Sequence, residues 1–293
     1  MPKSPPPKSP QSKKRPKGEF YSSQRERFAQ CQPLSFSFSP FHILPVRYFI
    51  QFSYDGTAYH GWQVQPNADT VQAHLDTALG MLLRQPVRTL GAGRTDTGVH
   101  ARMMVAHFDT ETEIDAADLC RRLCRMLPPD IAVSRVVPVK SDAHARFDAL
   151  SRTYHYDICL VKNPFRRRFA TRIHYTLDFE RMNQAATLLL GTHDFNSFCK
   201  RGTDTHTTLC TVSEAQWMPL EDGMWRFRIT ANRFLRNMVR AIVGTLFDVG
   251  NGRLTLDEFK ETLRAADRCA AGESAPAEGL SLVNIEYPQD IFQ

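Results

Sequence analysis

Between residues 46 and 139 the hydrophobic period switches repeatedly between two and about 3.6, and the order of those switches is what most limits the fold. Residues 46–54, VRYFIQFSY, have the aromatic and β-branched content of a strand, and Asp55, Gly56 and Thr57 supply the turn that ends it. Thr70 stands as an N-cap before Val71, Leu75, Ala78, Leu79 and Leu82, whose spacing predicts a helix over 71–83. A short strand near 87–90, a glycine-rich loop and a strand over 103–108 follow. Asp115 then caps a helix over 116–126, and Pro128 and Pro129 precede a strand over 131–139. The resulting order, β-α-β-β-α-β, is that of the ferredoxin-like split β-α-β unit.

The remainder reads as a second α+β unit. Strands are expected over 153–161 and 172–175, a helix over 179–190 capped by Asp178, and strands over 210–218 and 225–230. Helices over 235–249 and 256–266 and a last strand over 280–286 complete it. The fold expected is α+β: two ferredoxin-like halves, residues 46–148 and 149–293, whose antiparallel sheets join around a central cleft. No residue-level repeat links the halves, so the duplication rests on element order alone.

Composition narrows the class further. The chain has 293 residues, 42% of them hydrophobic, enough for a sizeable core. No apolar run approaches the ~20 residues of a membrane span, because residues 41–52 are broken by His42, Pro45, Arg47 and Gln51. A soluble, cytoplasmic protein without membrane partners is therefore expected. Residues 1–45 read as a disordered Pro/Ser/Lys-rich tail and lead-in without the apolar core of a secretory signal. Eight cations against Glu19 and Glu26 give residues 1–27 a charge of +6, the formal charge of the whole chain. Net basicity therefore says little about the folded body, and any nucleic-acid contact has to come from local arginine clusters. Candidates are Arg121, Arg122 and Arg125 on one predicted helix, and the run FRRRF at 165–169 with Arg172. Seven cysteines without a CxxC pair fit neither a disulfide framework nor a zinc knuckle. Cys120 and Cys124 have a helical spacing that suits a metal, but further ligands are missing nearby, and neither metal nor cofactor is expected.

Residues 91–100, GAGRTDTGVH, place three glycines around one carboxylate, Asp96, with Arg94 two positions before it. Glycine permits positive φ and close approach of a ligand, so such a loop can present a side chain to a substrate. Taken alone, the loop suits an Asx-turn better, with Asp96 bonded to its own backbone. A phosphate-binding loop is disfavoured, since no Gly-Lys-Ser/Thr ending and no helix follow.

Several segments change that balance together. The loop GAGRTDTGVHA at 91–101 resembles the signature of the bacterial TruA family of tRNA pseudouridine synthases. FSYDGTAYHGWQ at 52–63 precedes it, and HARF at 144–147, SRTYHY at 151–156, HDFNSF at 193–198, FLRNMVR at 234–240 and APAEGL at 275–280 follow in the family's order. The resemblance runs from about residue 46 to 288. It implies an isomerase that turns uridine into pseudouridine at positions 38, 39 and 40 of the tRNA anticodon stem-loop, working as a homodimer without metal or organic cofactor. It implies Asp96 as the nucleophile, Arg240 as its ion-pair partner, and Tyr154 as the ring that stacks on the uracil and takes part in proton transfer. Arg94, Thr95, His100 and Arg236 become candidate substrate contacts. From the residues alone, Arg240 also reads as a solvated arginine flanking an apolar helix stripe, and Tyr154 as a core tyrosine sharing a strand face with Tyr156. A catalytically silent tRNA-binding protein or chaperone of the same fold is the alternative. A carboxylate-pair glycosidase would need a second acid against Asp96, which the motif does not supply. The lead-in is longer than is usual in the family, and no methionine stands between Met1 and Met81.

Overall fold

Alternation along β1 (Val46–Tyr54) sends Tyr48, Ile50, Phe52 and Tyr54 into the core, while Phe49 and Gln51 point to the other face of the strand. The computed structural model describes residues 45–202 and 205–293. The expected basic tail lies outside the described residues. Helix α1 (Val71–Leu83) buries Val71, Leu75, Ala78 and Leu79, one face at helical spacing. β2 (Leu90–Gly91), β3 (His100–Thr110), α2 (Ala116–Met126) and β4 (Ile131–Val139) follow. The sheet runs β4-β1-β3 with β2 also paired to β3, the strand order of a split β-α-β unit.

The chain continues through β5 (Ser151–Cys159), β6 (Thr171–Arg172), α3 (Phe179–Thr187), β7 (Gly191–Asp194), β8 (Leu209–Pro219) and β9 (Met224–Ala231). Then come α4 (Met238–Gly250), α5 (Leu256–Arg264) and β10 (Leu280–Glu286). The ten strands among the described residues form one sheet, ordered β4-β1-β3-β10-β5-β9-β8-β7 with β2 beside β3 and β6 beside β5, so the structure is α+β as expected. The seam is the last strand. β10 pairs parallel with β3 at His100 and Ala101 and antiparallel with β5 along Ser151 to Tyr156. Pairing is otherwise antiparallel, apart from the two-residue β6 beside β5.

Local chemistry explains where the elements depart from the periodicity. The strand expected over 87–90 shrinks because Thr89 gives its N–H and hydroxyl to Asp76 at 3.0 and 2.6 Å, and its carbonyl accepts from Gln72. Its backbone is thereby committed to side chains of α1 and not to a ladder. Burial raises the pKa of Asp76, with the two Thr89 bonds opposing the shift. Helix α4 begins three residues later than the stripe suggests, because Asn237 takes a left-handed φ of 65°. Arg236 accordingly lies on the turn before α4 and not on the helix. Helix α3 stops at Thr187, and residues expected to extend it form a tight turn into β7, an unforeseen strand.

The two helices of the first unit differ at their caps. Asp115 accepts from Asp118 N at 2.9 Å, satisfying one free amide of α2. Thr70 occupies the N-cap of α1 with extended backbone, but its hydroxyl is buried and bonded to nothing among the described residues. Asp115→Ala is therefore expected to lower unfolding free energy by about 1 kcal/mol in urea titrations. Thr70→Val, of the same shape, is expected to leave stability unchanged or raise it by up to about 1 kcal/mol.

Candidate active site

The loop carrying Asp96 is fastened on both sides of that residue. The Thr95 hydroxyl bonds Tyr54 Oη at 2.8 Å and accepts from Trp62 N at 3.1 Å, while Gly98 N donates to Tyr59 O at 3.3 Å. Two glycines make the approach possible. Gly61, at φ +89°, lies where a Cβ would overlap the Thr95 carbonyl, and a Cβ on Gly56 would overlap that of Val99. Within the loop only Gly98, at φ +77°, uses the left-handed region; Gly91 makes room for the Trp62 indole, and a Cβ on Gly93 would meet nothing. Val99 N bonds the Asp96 carbonyl at 3.1 Å, closing a turn that leaves the carboxylate free of it.

Among the described residues the Asp96 carboxylate pairs with Arg240, Oδ2 to Nη1 at 3.5 Å, and not with its own backbone. The Asx-turn reading is thus not what the structure adopts. Arg240 sits in the first turn of α4, where a cation opposes the helix dipole. The placement is offset by Asp96 and by the Ala275 carbonyl, which accepts from Arg240 Nε at 2.7 Å, while Ala275 N donates back to Arg240 O at 2.9 Å. That 271–275 segment lies directly on the helix. Gly244 has no room for a Cβ because the Glu273 carbonyl occupies it, Gly272 N donates to Thr245 Oγ1, and Asn237 donates to Ser274 Oγ at 2.6 Å. The guanidinium is therefore aimed by backbone contacts. It is 21% exposed, against 27% for Asp96, so both groups remain open to a ligand.

Tyr154, on β5, is 9% exposed and meets Phe234 edge-on, with ring centroids 5.1 Å apart at 86°. Burial pushes its phenol up to about 12, the Asp96 carboxylate adding to the shift and the Arg152 guanidinium opposing it. Near neutral pH it is thus a protonated phenol, able to donate. Tyr156, two residues along on the same face, is fully buried, and its hydroxyl bonds Thr171 Oγ1 at 2.8 Å and Pro276 O at 2.9 Å. Tyr154 makes no such bond among the described residues, which separates the two tyrosines that alternation alone leaves equivalent.

The other expected contacts divide. Arg94 and Arg236 are exposed and have no carboxylate partner among the described residues, so both stay available to phosphate. Thr95 is buried and its hydroxyl is engaged in holding the loop. His100 is 2% exposed: Nδ1 accepts from Gly56 N at 3.0 Å and lies 3.1 Å from Asp55, while Nε2 meets the Glu278 carbonyl at 3.2 Å. Both ring nitrogens are occupied inside the fold, which makes His100 a brace for the start of β3. Cys120 and Cys124 both direct their thiols at the Val133 carbonyl, at 3.5 and 2.9 Å. Among the described residues no cluster of three or more metal-ligating side chains occurs.

One residue escaped the sequence reading. Arg152 bonds four carbonyls: Ala149 at 2.9, Asn232 at 2.8, Arg146 at 2.5 and Ala92 at 3.1 Å. Burial lowers its pKa, and no carboxylate pairs with it among the described residues. It ties the loop that leads to Asp96 to the strand that carries Tyr154. The signal was available, because alternation puts Arg152 and Tyr154 on one face, but its acceptors are backbone atoms that sequence does not show. Arg152→Met should destabilise the protein by about 1–3 kcal/mol, the scale of leaving the two part-buried carbonyls of Ala149 and Ala92 unpaired, read as a lower urea midpoint. Arg152→Lys should recover only part, since one ammonium cannot span the fork of four acceptors.

Comparison with known proteins shows the family. A tRNA pseudouridine synthase family model matches residues 50–148 and 185–288, which include Asp96 and Arg240. The tRNA pseudouridine synthase A of Bacteroides thetaiotaomicron is 55% identical over 248 residues, 84% of this chain and 92% of the relative. That of Bacteroides fragilis is 53% identical over 84% of this chain and 98% of its own, and that of Bacillus subtilis 44% over 80% and 96%. Among solved structures, a chain of the archaeal box H/ACA sRNP complex aligns over 79% of this chain and 60% of its own at a TM-score of 0.32 and 12% identity, a likeness too low to bear on the site. With a family model covering most of the folded body and full-length relatives above half identity, the chain belongs to the tRNA pseudouridine synthase family.

Proposed function

We propose that this chain isomerises uridine to pseudouridine in tRNA, acting on positions 38, 39 and 40 of the anticodon stem-loop. The observation that carries the reading is the Asp96–Arg240 pair, which joins the glycine loop to α4 and is electrostatically coupled to the Tyr154 phenol. The reaction breaks the bond between C1' of the ribose and N1 of the uracil, turns the base, and forms a bond from C1' to C5. Asp96 supplies the anion that attacks or stabilises the sugar as that bond breaks. Arg240 keeps the carboxylate charged when a nucleotide covers it and displaces water. In this reading Tyr154 gives its ring to the uracil, and its hydroxyl takes part in moving the C5 proton. The proton lost from C5 is matched by one taken up at N1, so substrate and product are isomers and the reading calls for no metal or cofactor.

A uridine in a stem reaches Asp96 only after leaving its stack. Arg94 and Arg236, exposed and without carboxylate partners among the described residues, suit the flanking phosphates. In this reading residues 46–148 carry the Asp96 loop, residues 149–293 complete the cleft around it, and the protein works as a cytoplasmic homodimer. Among the described residues no helix is long and apolar enough to cross a membrane.

Asp96→Asn should abolish release of tritium from tRNA labelled at uridine C5 while keeping tRNA affinity within about tenfold, since charge is lost without a change of shape. Appreciable turnover by that variant would refute the nucleophile assignment. A wild-type protein that binds tRNA without releasing tritium would favour the catalytically silent alternative. Tyr154→Phe separates ring from hydroxyl: a lower kcat with unchanged KM places the hydroxyl in proton transfer, whereas wild-type kinetics leaves stacking as its role.

A further inference from the structure

Between β5 and β6 the chain makes a turn whose tip is an aromatic ring set among cations. Phe165 is 91% exposed, the most exposed of the large apolar side chains among the described residues. Arg166, Arg167 and Arg168 follow it, all exposed, and only Arg168 has a carboxylate partner among the described residues, Asp55 at 3.5 Å. The turn is bonded within itself. Phe165 N donates to Asn163 Oδ1 at 3.0 Å, Arg166 N to Asn163 O at 3.2 Å, and Phe169 N and Ala170 N to Arg166 O at 2.9 and 3.0 Å. The ring is therefore held out by an ordered turn, and part of the entropy of fixing it is already met in the free protein.

The turn's base stands on the brace of the Asp96 loop. Phe169 packs on His100 at 4.9 Å between ring centroids, and Arg168 shares Asp55 with His100, which is four residues beyond Asp96. The base of the turn is thus tied, through His100 and Asp55, to the segments that hold the Asp96 loop. A bare aromatic face beside guanidiniums matches one ligand chemistry closely, an unpaired nucleotide, whose base stacks while its phosphates pair with arginine. At 91% exposed the ring contributes nothing to the core, and it is its place in a run of three exposed arginines that suits it to such a ligand.

We propose that Phe165 stacks on an unpaired base of the tRNA other than the target uridine, with Arg166 and Arg167 on the adjoining phosphates. This deepens the function proposed above and rests on its tRNA-binding part. The contact gives affinity and register, and the chemical step stays with Asp96, Arg240 and Tyr154.

The test uses the full chain and a tRNA transcript. Phe165→Ala should weaken tRNA binding about tenfold, the scale of losing one base–aromatic stack, with single-turnover rate at saturation and melting temperature unchanged. Phe165→Trp should restore affinity. Abasic substitutions walked along the unpaired anticodon-loop positions should show one that weakens the wild type as much as Phe165→Ala does and costs the Ala variant nothing more. Equal affinity for wild type and Phe165→Ala, failure of Trp to restore it, or the absence of such a coupled position would overturn the proposal. So would tRNA affinity indifferent to Phe165 alongside Phe165-dependent binding to phosphatidylserine vesicles, which would assign the tip to an anionic membrane. Binding is read separately from turnover, so a wild type that binds tRNA but makes no pseudouridine would overturn the proposed function and leave this contact standing.

Discussion

The ion pair between Asp96 and Arg240 joins two residues far apart in the chain, and most of the structure serves to bring them within 3.5 Å. On one side, the Asp96 loop is pressed against residues 54–62 through Thr95, Gly98 and the space left by Gly56 and Gly61. On the other, α4 is buried on nearly every side and carries the 271–275 segment that aims Arg240. Between them runs β10, which pairs with β3 at His100 and with β5 along the strand of Tyr154. Arg152 locks the same junction through four carbonyls. A carboxylate and a guanidinium that are both partly exposed gain little stability from each other alone. In the proposed function their value lies in a charged group held ready where a nucleotide will exclude water.

Elements whose periodicity is strong and whose caps are local were legible in the sequence. Helices α1 and α2 and strands β1, β4 and β10 have the bounds that spacing and caps predict. What escaped was decided by side chains reaching backbone. Asp76 and Gln72 remove Thr89 from the β2 ladder, and Asn237 in left-handed conformation delays α4 behind its own apolar stripe. The position of β10 between β3 and β5 depends on contacts across nearly the whole chain, which no window of residues contains.

The site divides in the same way. Asp96, Arg240 and Tyr154 were singled out by family resemblance, and the structure places the first two in contact and leaves the hydroxyl of the third unengaged among the described residues. His100 and Thr95, flanking Asp96 in the same motif, have their polar atoms engaged within the fold. A motif therefore mixes residues whose polar groups stay open with residues that hold the fold, and sequence alone does not sort them. Charge follows a similar logic. The formal charge of +6 belongs to residues 1–27, and the folded body offers cations locally, in the exposed Arg94, Arg236 and Arg166 to Arg168. Local placement of that kind positions a polyanion more selectively than net charge does.

That these groups make pseudouridine in the anticodon arm is tested by incubating the full chain with an unmodified tRNA transcript, derivatising pseudouridine with a carbodiimide, and mapping the reverse-transcription stops. Stops reporting positions 38 to 40 are expected, appearing without added metal or cofactor. A transcript left unmodified, or modified only outside the anticodon arm, would contradict it.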